Sequence, residues 1–168
     1  MKKEIKTKED FINLYSDKIW DRKSLVDPKT GRFYDQYIPI LHALYKGLDR
    51  FVEAQDKFNT YQRALEEIKA GKKKTHWIWY IFPQSYGLGK SYNSKFYGIQ
   101  NREEAENYIN HPVLRERLIE VTEVVYNSNK TIYEIFGVDA IKVRSCMKLF
   151  ASVSDIPIFK KMVKKYEF

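Results

Sequence analysis

The chain has 168 residues, 43% of them hydrophobic and 15% aromatic, and a net charge of +8. Those values exclude a disordered tail and suit one domain with a substantial core. A lone cysteine, Cys146, excludes an internal disulfide framework, and no apolar run follows the lysines of MKKEIKTKEDF, so a cytoplasmic protein with no membrane attachment is expected.

Across residues 8–19, Phe11, Ile12, Leu14, Tyr15 and Ile19 recur at helical spacing. Residues 21–35 follow as a loop, because Asp27-Pro28 and Thr30-Gly31 are turn pairs. Residues 38–70 read as two helices broken near 56–59. The second carries the stripe Tyr61, Ala64, Leu65 and Ile68, and Gly71 is its natural C-cap. In HWIWYIFPQ, Trp77 and Trp79 are two apart and share a face only in extended chain, so a short extended segment is predicted near 76–83. A helix over 101–110 has Asn101 as its N-cap and acids in its first turn. His111-Pro112 opens another, running to about Tyr126, with Val113, Leu114, Leu118, Val121 and Val125 inward. A short turn over 131–136 closes at Gly137. A helix then starts at residue 140 with Asp139 as its cap, and a last one follows Pro157. The expected fold is mainly α, a single compact helical domain.

The charge is localised. Between Glu67 and Glu103 there is no acid, and Lys69, Lys72, Lys73, Lys74, Lys90, Lys95 and Arg102 give that window +7. A second acid-free run after Asp139 holds Lys142, Arg144 and Lys148. The first window also holds His76, Trp77, Trp79, Tyr80, Phe82, Tyr86, Tyr92, Phe96 and Tyr97. Cations among aromatic faces suit a ligand with both phosphate and a ring.

Gly87-Leu88-Gly89-Lys90-Ser91 ends like a phosphate-binding P-loop. The full motif needs glycine at position 84, which is Gln84, and the chain lacks the parallel-sheet pattern, which argues against a P-loop NTPase. What remains is a turn whose glycines let backbone N–H groups converge on an anion, with Ser91 able to cap a following helix.

Several stretches together resemble one family. They are Leu48-Asp49-Arg50-Phe51-Val52-Glu53-Ala54-Gln55, Tyr61, Ala64-Leu65, Gly71, His76 to Gln84 and Gly87-Leu88-Gly89. Tyr97-Gly98-Ile99, Glu104-Ala105, Tyr108, His111 to Leu114, Arg117-Leu118, Lys142 to Ser145, Met147 and Leu149-Phe150 continue the pattern. It is similar to a bacterial domain-of-unknown-function family sometimes mislabelled "calpastatin" in genome annotation, over about residues 48 to 163. The resemblance implies a compact, mostly helical domain and no particular activity. Cys146 and Lys148 depart from it, standing where the family usually has a small hydroxyl residue and threonine. Residues 1–47 fall outside and read as an N-terminal accessory helix and loop, with 48–168 as the family domain.

The candidate ligand-binding residues are His76, Trp77, Trp79, Gln84, Gly87, Gly89, Lys90, Ser91 and Arg144. His76 can donate to an anion or act as a base near neutral pH, and it can equally be structural. Trp77, Trp79 or a tyrosine can stack a ring, though one tryptophan in the core and one as a lid is the plainer reading. Gln84 sits in a turn after Pro83 and can read a base edge. Arg144 suits bidentate phosphate contact, or an ion pair with Asp139 or Glu104. No cluster has metal-ligand spacing, and no cofactor is implied. The site is poor in carboxylates, which weakens a glycosidase-like mechanism and leaves His76, and Glu104 or Asp139 if the fold brings them in, as bases. The expected function is binding of a small phosphorylated, ring-bearing ligand, a nucleotide or an ADP-ribose or NAD-derived molecule, to sequester, sense or hydrolyse it. The alternative is a nucleic-acid-binding protein with a basic aromatic surface. A protein-interaction module would instead show an exposed apolar patch.

Overall fold

Side-chain caps set several helix boundaries. Asn101 accepts from the Glu104 N–H, His111 Nδ1 from the Leu114 N–H, and Thr131 forms a reciprocal capping box with Glu134. Each satisfies donors that a helix start leaves without an intrahelical partner. The computed structural model describes residues 29–30 and 38–168. The expected helix over 8–19 and most of the 21–35 loop lie outside the described residues.

The described helices are α1 (Ile38–Lys46), α2 (Asp49–Asp56), α3 (Thr60–Lys69), α4 (Ile78–Ile81), α5 (Tyr92–Phe96), α6 (Arg102–Asn110), α7 (Pro112–Tyr126), α8 (Ile132–Phe136), α9 (Ala140–Val153) and α10 (Pro157–Lys165). No strand occurs among the described residues, only a parallel bridge between Ser85 and Ile99. The described residues form a single compact helical domain. The break between α2 and α3 falls at Phe58 and Asn59, both with φ of 55°.

One core runs through the domain. Leu114, Leu118, Val121 and Val125 of α7 meet Ala64, Leu65 and Ile68 of α3, while Val143, Met147 and Phe150 of α9 meet Ile158, Phe159 and Met162 of α10. Val113 is exposed and does not join the buried side of α7. α1 buries Ile40 and Ala43 and packs on α5 and α2.

Residues 78–81 are a turn of helix, not extended chain, since the Ile81 and Phe82 N–H groups bond back to Trp77 and Ile78. The turn sends Ile78 and Ile81 inward together. Extended chain comes just after it, where Gln84 O accepts from Ile99 N at 2.9 Å and Tyr86 N donates to Ile99 O at 2.8 Å.

Arg50 is the one fully buried cation among the described residues. Its guanidinium donates to Glu104 at 2.6 and 3.1 Å, and to the carbonyls of Phe96 at 2.7 Å, Gly98 at 3.0 Å and Gly47 at 2.7 Å. Five contacts satisfy the whole fork, which is the condition for burying an arginine without a large desolvation penalty. They tie the 96–98 segment to α2 and α6.

Candidate anion-binding site

The lysine run after α3 is held in place from the protein side. Gly71, at φ +81°, turns the chain, and Lys73 N donates to Ile135 O at 2.7 Å. The buried Glu67 carboxylate then accepts from Lys74 N, from Thr75 N at 2.8 Å, from Thr75 Oγ1 at 2.6 Å and from Trp77 Nε1 at 3.1 Å. Burial pushes the Glu67 carboxyl up, but the bonds from Thr75, Lys74 and Trp77 outweigh it and hold the group below its ordinary value.

This fixed loop brings Lys73 to the Asp139 carboxylate, which also holds Lys142 from one turn along the chain. Lys73 Nζ lies 3.0 Å from Asp139 Oδ2, and Lys142 Nζ lies 3.0 Å from Asp139 Oδ1. Burial raises the Asp139 carboxyl, but Lys142 and Lys73 hold it below its usual range. Two ammonium groups on one carboxylate leave a surplus positive charge. Beneath it, Lys73 Nζ sits 5.1 Å from the Trp77 ring centroid, and Trp77 packs edge-on to Phe136, which packs edge-on to Phe82 at 5.3 Å. The low-dielectric aromatic wall strengthens the field of the two lysines.

The predicted residues divide around this cluster. Trp77 is 1% exposed and donates its indole N–H to Glu67, so it is floor and not a stacking face. Trp79 is half-buried, with no hydrogen bond to its indole N–H among the described residues. His76 is exposed, and its carbonyl accepts from Tyr80 Oη at 3.0 Å. Gln84 is 8% exposed, and its carboxamide has no hydrogen-bond partner among the described residues. Ser91 caps α5, accepting from Ser94 N at 3.1 Å and donating to Ser94 Oγ at 2.9 Å. Its hydroxyl is therefore engaged, and the five residues of α5 sum to little dipole. Gly89 is explained by packing, because a Cβ there would collide with the Ser94 side chain. Gly87 takes φ +98° with open space around it, and Lys90 is exposed.

Arg144 is exposed on α9 and has no polar partner among the described residues. Two residues along a helix is about 200°, so with Lys142 turned to Asp139, Arg144 points away from that carboxylate. Neither structural pairing foreseen for it forms: Asp139 holds Lys73 and Lys142, and Glu104 holds Arg50. Both carboxylates are committed to cations, which leaves His76 as the available base. Lys73 and Lys142 are not among the candidate ligand-binding residues of the sequence, although the two acid-free runs contain both, and Asp139 is expected there as a helix cap, an ion-pair partner of Arg144 or a base. Glu67 carried no sequence signal beyond marking the edge of the first run. Among the described residues no group of three or more His, Cys, Asp or Glu could hold a metal ion, and no helix is long and apolar enough to cross a membrane.

The family is shown by direct comparison. Residues 45–167 match the model of the family described as Protein of unknown function (DUF1810), and the chain belongs to that family. It is similar to a solved structure, the conserved hypothetical protein Rv1873 from Mycobacterium tuberculosis, at 42% identity and a TM-score of 0.69. That match covers 71% of this chain and 86% of the other. No curated protein matches.

Proposed function

We propose that this protein binds a small phosphorylated, ring-bearing ligand, a nucleotide or an ADP-ribose or NAD-derived molecule, beside the Lys73–Asp139–Lys142 cluster. The observation that carries the reading is that cluster: two lysines from opposite parts of the chain on one partly buried carboxylate, with net positive charge against an aromatic wall. A phosphate would meet the outer side of Lys142 and the neighbouring exposed Lys74. Trp79, with a half-buried ring and a free indole N–H, supplies a stacking face, and the unpaired Gln84 carboxamide supplies a polar group for a base or amide edge. His76 is the side chain that would take or give a proton if the ligand is cleaved.

Calorimetric titration with nucleoside phosphates and NAD derivatives tests this. Lys142→Ala should weaken binding about tenfold or more, since a hydrogen bond to a charged group contributes about 1.5–3 kcal/mol. Lys160→Ala, an exposed lysine on α10, should leave affinity within about twofold, because it offers only screened attraction. No binding by any of these ligands, or binding indifferent to Lys142→Ala in a folded variant, would overturn the proposal.

A further inference from the structure

Separate from that site, three helix ends meet at one corner of the domain, and lysines knit them together. The Lys130 stem lies over Gly71, where any Cβ would come within 2.8 Å of it, and its ammonium donates to Gly71 O at 3.2 Å. Lys165, at the end of α10, donates to Tyr126 O and, at 3.0 Å, to Ser128 O just past α7. The path Lys72, Lys130, Lys165 and Lys164 is thus contiguous, and Lys161, one turn back from Lys164 and Lys165, extends it along α10.

Two features distinguish this corner. The ion pairs between described residues use Lys46, Arg50, Lys73, Arg102, Arg117 and Lys142, and no lysine of the path is among them. Capping of helix carbonyls accounts for Lys130 and Lys165, but Lys72, Lys161 and Lys164 are exposed and make no polar side-chain contact among the described residues. Nearby acids are few: Glu134, held in its capping box with Thr131, interacts with Lys130, Glu167 adjoins Lys165, and Glu120 and Glu123 line a groove between α3 and α7 that reaches Ser128.

The second feature is aromatic. Lys165 Nζ sits between the Tyr126 and Tyr166 rings, 5.2 and 5.0 Å from their centroids, and Tyr166 stacks on Phe168 at 5.7 Å. Tyr133, three residues after Lys130 in the first turn of α8, is 71% exposed. Unneutralised lysines track a phosphate backbone, while an exposed tyrosine beside them offers a face to an unpaired base. We infer that this corner, from Lys72 through Lys130 to Lys161, is a docking surface for single-stranded nucleic acid. A duplex presents phosphates but no free base faces, so Tyr133 would contribute nothing to it.

Fluorescence anisotropy with a labelled single-stranded oligonucleotide and a duplex of equal length, over a salt series, tests the inference. The single strand should bind more tightly, with log K falling against log salt at a slope of about −3, as expected for four or five single-strand phosphate contacts. The triple change Lys72→Glu, Lys161→Glu and Lys164→Glu should weaken binding about tenfold or more while near-ultraviolet circular dichroism stays unchanged. Tyr133→Ala should weaken the single strand about fivefold or more and the duplex hardly at all, because base–aromatic stacking is lost only where a base is free. Indifference to the charge reversals, a duplex preference, or equally tight binding of polyglutamate would overturn it.

Discussion

The Glu67 side chain is the most stringent test of how the site is assembled. Replacing it by alanine removes the acceptor for four donors, those of Lys74, Thr75 (two) and Trp77. The Trp77 indole N–H is the costly one, since its side chain is 1% exposed and water cannot replace the carboxylate. An orphaned buried donor costs about 1–3 kcal/mol, and the three partly buried bonds add about 0.5–1 each. The total is roughly 2.5–6 kcal/mol, which for a chain of this size lowers the melting temperature by about 5–24 °C. Glu67→Gln keeps an oxygen for Trp77 and loses mainly charge assistance, so it should cost about 1–2 kcal/mol. Urea titrations followed by tryptophan fluorescence give both values. The pH dependence has a definite sign. Because the folded carboxyl lies below its ordinary value of 4.5, its contribution is fully present above that value and is lost as pH falls through the folded one. The gap between wild type and Glu67→Gln should therefore close on acidification, while Asp139 and Glu134 titrate equally in both proteins and cancel. Refutation would be an alanine variant within about 0.5 kcal/mol of wild type, the range of an ordinary surface change.

Two further outcomes follow from the buried groups. Arg50→Ala should destabilise the domain by about 3–5 kcal/mol, because Glu104 is left without its cation, and Arg50→Met with Glu104→Leu should recover much of that loss in urea midpoints. Burial pushes the Cys146 thiol well above its ordinary value, so it should resist iodoacetamide in the folded protein and react at once in urea, as mass spectrometry will show.

The parts of the fold legible in the sequence are those decided locally. Asn101, His111-Pro112, Gly71 and Gly137 announce helix ends because a cap needs only its own few neighbours. Asp139 sits at the start of α9 as expected, yet its side chain caps nothing, because two lysines compete for the carboxylate. The helical turn over 78–81 was illegible for a different reason. Four residues are too few to display a 3.6-residue period, and Ile, Trp, Tyr and Ile are all common in strands. Glu104 and Arg50 are 54 positions apart. Nothing local marks their pairing, and it exists only once α2 and α6 are packed.

The GLGKS ending shows how one sequence signal can have two physical causes. Close glycines permit backbone to approach either a phosphate or another part of the same chain. In this fold the second cause is visible at Gly89, which gives Ser94 room, and at Gly98, where a Cβ would come within 2.8 Å of Ser94 O and 2.9 Å of Tyr86 Cα. Ser91 and Ser94 complete the arrangement by bonding to each other. Gly89, Gly98 and the serine are thus accounted for by the packing of residues 85–99 on themselves, and Gly87 by its φ of +98°, with no ligand required. Positive potential needs a different account, because self-packing does not call for two lysines on one carboxylate. On the proposed reading, charge surplus at Asp139, not glycine content at 87–89, draws an anion to the neighbourhood of HWIWYIFPQ.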